Sequence, residues 1–134
     1  MEISEVITHQ HGNMVWKNEK GETHRLDGPA HIATEFNEYY VFGKKHRIDG
    51  PAQTNINGSY DYWVDDKRHR IGGPASYSAK SEKNPVESYY WWLNGELHRR
   101  EGPAIDHGDR KYFYFCGQRH NLKGACSIEK DIEN

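Results

Sequence analysis

Four copies of one heptad run through this chain. His24-Arg25-Leu26-Asp27-Gly28-Pro29-Ala30 returns as His46-Arg47-Ile48-Asp49-Gly50-Pro51-Ala52, as His69-Arg70-Ile71-Gly72-Gly73-Pro74-Ala75 and as His98-Arg99-Arg100-Glu101-Gly102-Pro103-Ala104. A decayed fifth copy reads His120-Asn121-Leu122-Lys123-Gly124-Ala125-Cys126. The histidines are spaced by 22, 23, 29 and 22 residues. A period of this length marks a row of supersecondary units, each too small to bury a face alone. The long interval holds Ser81-Glu82-Lys83-Asn84-Pro85, which reads as an enlarged loop.

The rest of each unit aligns as well. Tyr39-Tyr40-Val41, Tyr62-Trp63-Val64, Trp91-Trp92-Leu93 and Phe113-Tyr114-Phe115 stand at one fixed distance before a histidine. Aromatic and β-branched residues at this density predict strands. Asn94-Gly95 and Asp65-Asp66 follow as turn residues, because a positive φ is cheap for Gly and tolerable for Asn and Asp. Proline then fixes φ and lacks an N–H, so the strand breaks at each Gly-Pro. A second strand follows, from Ala30 to Thr34 or Ala52 to Ile56, ending in turns such as Asn57-Gly58. No segment has a helical period. The expected fold is all-β: a repetitive antiparallel β-hairpin meander of about five units, twisted and able to curl on itself. Residues 1–134 form a single β-repeat domain in this reading, with repeats over about 14–126 and caps at 1–13 and 127–134.

Composition decides what fills such a fold. Leu, Ile, Val and Phe number 22 of 134 residues, a share that by itself favours disorder. The net charge of −2 and 13 Tyr or Trp residues oppose that, so rings supply much of the buried area. Strand alternation sorts them onto two faces. Tyr39/Val41, Tyr62/Val64, Trp91/Leu93 and Phe113/Phe115 make the expected core. On the other face Tyr40, Trp63, Trp92 and Tyr114 line up as a ladder beside Glu38 and Asp61, a candidate binding surface.

The pattern aromatic-aromatic-x-Asn-Gly-x-x-His-Arg-x-x-Gly-Pro-Ala resembles the repeat of many proteins of tailed phages and giant viruses. It is more distantly similar to MORN-type β-hairpin repeats. The resemblance covers about residues 14–126. It implies a meandering sheet with a binding or scaffold role and no active site. By association it implies a host protein, such as a defence component, as the partner, in the host cytoplasm.

The repeated polar residues read first as framework. His24, His46, His69 and His98, with Gly28, Gly50, Gly73 and Gly102 and Pro29, Pro51, Pro74 and Pro103, occur wherever the backbone breaks and needs partners. Arginine offers five donors, and Arg25/Asp27, Arg47/Asp49 and Arg99/Glu101 share a face two residues apart. Gly72 stands where the other copies have an acid, which singles out Arg70 as a candidate anion contact; Arg99, beside aromatic rings, is a second. No catalytic residue is assigned, because these residues are periodic whereas catalytic sites are asymmetric. No P-loop, nucleophile elbow or dinucleotide fingerprint is present. His9-x-His11 and Cys116, His120 and Cys126 fall short of a four-ligand zinc set, so no metal or cofactor is expected.

Other classes fall on charge and hydropathy. The charge balance opposes bulk nucleic-acid binding. No apolar run nears the ~18 residues of a membrane span, and the acidic N-terminus lacks a signal-like apolar stretch. Two cysteines read as reduced thiols of a cytoplasmic protein. A host-protein antagonist is the leading reading. A sponge for a small anionic ligand, such as a nucleotide near Trp92, and a structural virion or assembly protein are the alternatives. Open sheet edges also allow a homodimer.

Overall fold

The computed structural model describes residues 5–8 and 12–119. The fifth heptad, the 127–134 cap, Cys126 and the His9-x-His11 pair lie outside the described residues. The fold is all-β, a meander of short antiparallel hairpins, as the repeat predicts. Among the described residues no helix is long and apolar enough to cross a membrane.

Two compact units divide the chain, Met1–Lys67 and Arg68–Asn134. In the first unit, β1 (Glu5–Thr8), β2 (Met14–Lys17), β3 (His31–Ile32) and β4 (Phe36–Glu38) pair in sequence. A short ribbon follows, β5 (Tyr40–Val41) against β6 (Lys44–Lys45), with Tyr40 opposite Lys45. The chain then returns to the wider sheet as β7 (Gln53–Asn55), which pairs with β4, and β8 (Tyr60–Asp61). β9 (Trp63–Val64) follows, and the boundary between the units falls inside β10 (Lys67–Arg68).

The second unit repeats this plan. β11 (Ser76–Ser78) pairs with β12 (Ser88–Tyr90), and the enlarged loop lies between them. The ribbon of β13 (Trp92–Leu93) and β14 (Glu96–Leu97) branches off next. β15 (Ile105–Asp106) then pairs with β12, and β16 (Lys111–Tyr112) with β15. The last ribbon joins β17 (Tyr114–Phe115) to β18 (Gln118–Arg119).

The structure corrects one expectation here. The strand through Tyr39, Tyr62, Trp91 and Phe113 is not continuous; each of these residues lies at a break between wide sheet and ribbon or following strand. Hydrogen bonds explain it. Tyr39 N–H donates to Ala52 O at 2.7 Å, while Tyr39 O accepts from His46 N–H at 3.1 Å. Trp91 makes the same exchange with Ala104 (2.7 Å) and His98 (3.0 Å), and Trp16 with Ala30 (2.8 Å) and His24 (3.0 Å). In these copies one aromatic residue hands the chain from one set of partners to another, and at Tyr39 and Trp91 side-chain alternation does not pass through the break.

The core changes accordingly. Leu93 and Phe115 are buried, but Tyr39, Tyr62 and Trp91 are half-buried and Phe113 is exposed. Ala30, Ala52, Ala75, Ala104 and His24 have no exposed surface. Each alanine enters the wide sheet directly after the heptad proline, where backbones close in and leave room for one methyl group. Replacing Ala52 by Leu should therefore overpack the first unit and cost about 1–3 kcal/mol. Denaturant unfolding checks this, and a variant as stable as the parent contradicts it.

Candidate functional site

The hairpin turns explain the histidines. Both central residues of each turn are left-handed: Phe42 (φ 49°) with Gly43 (77°), Asp65 (48°) with Asp66 (64°), Asn94 (47°) with Gly95 (81°), and Cys116 (52°) with Gly117 (80°). This is the type I′ geometry that suits a twisted ribbon. It leaves the first turn N–H outside the ribbon's own bonding. The histidine of the preceding heptad accepts it at Nδ1: Phe42 N–H to His24 (2.9 Å), Asp65 to His46 (3.1 Å), Asn94 to His69 (2.9 Å) and Cys116 to His98 (2.8 Å). A lone pair at Nδ1 puts the ring proton on Nε2. The rings also pack on the hairpins they hold, His24 on Phe42 at 4.4 Å and His98 on Phe115 at 4.6 Å between centroids.

Each arginine secures the corner that follows. Nη1 donates to the carbonyl four residues on, Arg25 to Pro29 and Arg47 to Pro51 at 3.1 Å, Arg70 to Pro74 at 3.1 Å and Arg99 to Pro103 at 3.2 Å. The guanidinium lies flat on the heptad glycine, where an added Cβ would come within 2.8–3.0 Å of Cζ. Its outer face covers a ring: Arg25 on Trp16 at 3.9 Å, Arg47 on Tyr39 at 4.1 Å, Arg99 on Trp91 at 4.0 Å. Arg25 Nε also bonds Asp27 (2.9 Å) and Arg47 Nε bonds Asp49 (3.0 Å), which holds both exposed carboxyls below the usual range.

The ladder residues Tyr40, Trp63, Trp92 and Tyr114 are half-buried, and the two tryptophans carry cations. Lys45 Nζ sits 5.1 Å from the Trp63 ring and Arg68 Cζ 5.7 Å from that of Trp92. Lys45 Nζ also meets Glu38 at 2.9 Å, and His31 Nδ1 lies 3.0 Å from the same carboxylate. Burial, with Glu38 nearby, raises the Tyr40 pKa. In the first unit this face is a packed polar network more than an open stacking platform.

Open concavity lies instead at the corner loops. In the first unit a groove of about 420 Å³ is bounded by Leu26, Asp27, Ile48 and Asp49 over Tyr39 and Val41. In the second a groove of about 330 Å³ is bounded by Ile71, Gly72, Arg100 and Glu101 over Trp91 and Leu93. Arg70 and Arg99 line this second groove, whereas Trp92 does not. Among the described residues no three His, Cys, Asp or Glu side chains gather as metal ligands.

Two features escaped the sequence reading. Trp16 fills the hand-over position of the first copy, hidden because its ribbon closes through a longer loop in which Asn18 Oδ1 accepts from Lys20 and Glu22 N–H. Cys116 is disulfide-bonded, which corrects the reduced-thiol expectation for it. Compared with known proteins, the chain matches no family model, no curated protein and no solved structure.

Three outcomes follow from these bonds. Arg47→Lys keeps the charge but loses the fork, and should cost about 1–2 kcal/mol in denaturant unfolding; an unchanged midpoint contradicts it. Gly102 has φ +141° with Arg99 Cζ at 2.9 Å from an added Cβ, so Gly102→Val should lower stability by about 1–3 kcal/mol, measured by thermal melting. Burial also lowers the His69 pKa below 6.5. As pH falls through that value the unfolded chain takes up a proton that the folded ring still refuses, so stability is level above and declines below. His69→Gln should flatten that part of the pH profile of unfolding, and an unchanged slope contradicts the assignment.

Proposed function

We propose that this protein is a non-enzymatic β-repeat module that binds and blocks a partner protein. One observation carries the reading. Within the heptad, His and Arg are engaged in the framework, while the next residue faces solvent. Leu26 is 65% exposed and Ile48 79%, and in the second unit Ile71 is 62% exposed. Aliphatic side chains held outward on braced loops form a surface suited to a protein partner. The resemblance of the heptad to repeats of tailed phages and giant viruses favours a host protein as that partner.

The polar residues give an enzymatic reading little support. Ser88 Oγ lies 2.8 Å from His107 Nδ1, but Ser88 is only 3% exposed, too enclosed for attack on a substrate. The framework histidines hold turn N–H groups at Nδ1 and are spread along the chain.

The test is affinity capture from host-cell lysate with tagged parent and Ile48→Asp, followed by binding to the purified partner. The parent should retain one protein stoichiometrically. Ile48→Asp should lose it while melting like the parent, since Ile48 is an exposed side chain at the corner. Capture of nothing, or equal capture by both, overturns the reading.

A further inference from the structure

We infer that the groove between the corner loops of the second unit binds a small organic anion, a carboxylate or phosphate on an aromatic or apolar body. This site shares Ile71 with the aliphatic surface proposed for a protein partner, but it rests on Gly72 and the arginines and does not depend on that reading.

The two grooves are built by the same heptad, so each serves as a control for the other. In the first, Arg25 and Arg47 face Asp27 and Asp49, two charges of each sign. Both acids are bonded to their arginines. In the second, Gly72 takes the place of one acid and Arg100 that of an aliphatic residue. Among the lining residues Arg70, Arg99 and Arg100 outnumber the one acid, Glu101, a net +2. These two departures border one cavity and move its charge in one direction. The proline bonds do not require them, since Arg70 and Arg99 keep those made by Arg25 and Arg47. Gly72 also has φ +81°, so the main chain itself takes a different course at this wall.

The lining suits an anion attached to something apolar. Ile71, Trp91 and Leu93 supply the apolar surface, and Leu93 is only 7% exposed. Beside such surface a guanidinium attracts an anion more strongly than in open water. Its planar fork matches carboxylate and phosphate oxygens. Arg99 is held on Trp91 at 4.0 Å and by Pro103 O, so little side-chain freedom remains to be lost on binding. A volume of about 330 Å³ lies at the small end of ligand sites, which limits the ligand to about one ring and its anionic group.

The test is an amide NMR titration of the whole chain with phenyl phosphate and benzoate, and with inorganic phosphate and phenol as the separate parts. One or both ring-bearing anions should give saturable shifts centred on Ile71, Gly72, Leu93 and Arg100, with affinity roughly tenfold above either part. Which of the two binds tighter identifies the anion. Arg100→Ile and Gly72→Asp copy the first groove, and each should weaken binding about tenfold. Ile48→Arg combined with Asp27→Gly, the reciprocal exchange, should create binding in the first unit. If Gly72→Asp misfolds, Arg100→Ile decides, because that side chain is exposed. Shifts that do not saturate, shifts scattered over the surface, or parent-like affinity in Arg100→Ile overturn the proposal.

Discussion

A left-handed turn leaves an N–H that its own ribbon does not use, and the histidine of the preceding heptad accepts it. The rest of the structure depends on this contact. Type I′ turns let two-residue ribbons form at all, yet strands two residues long have little stability of their own. The Nδ1 bond ties each ribbon to the heptad before it, and three main-chain and side-chain bonds then act together. In the first copy these are Phe42 N–H to His24 Nδ1, Gly43 N–H to Thr23 O and Arg25 N–H to Tyr40 O. In the later copy they are Cys116 to His98, Gly117 to Leu97 and Arg99 to Tyr114. Stability is thereby shared between neighbours, as in other repeat architectures.

Small residues make the rest possible. Alanine at the end of the heptad allows close approach of backbones, and glycine before proline allows a guanidinium to lie on the main chain. The arginine thus serves as a lid over the corner, bonded at one edge to a proline carbonyl and covering an aromatic ring with its face. A chain poor in aliphatic residues obtains ordered packing in this way, from rings, guanidinium planes and methyl groups.

Much of this was legible in the residues themselves. The period, the β class, the Asn94-Gly95 and Asp65-Asp66 turns, the loop at 81–85 and the Arg–Asp pairs at two-residue spacing all follow from local chemistry. The break at Tyr39 and Trp91 was not legible, because it arises from a change of hydrogen-bond partner and not from a residue preference. The histidine bonds were hidden for a similar reason: donor and acceptor are 18 to 25 residues apart. Phe42 and Cys116 do not favour a positive φ, and only their alignment with the other copies marks them as turn residues. For the candidate site, Arg70 was visible as an exception to the repeat and Arg99 as a cation beside aromatic rings. The ring they share a groove with is Trp91, a choice that strand alternation assigned to the wrong side.

The third heptad position has a consequence for how such a chain changes over time. Leu26, Ile48, Ile71 and Arg100 occupy it in turn, while the histidine, arginine, glycine and proline around them hold the corner. Scaffold and displayed chemistry are therefore separately mutable. One codon per unit can be rewritten to meet a new target, and the architecture underneath would not register the edit.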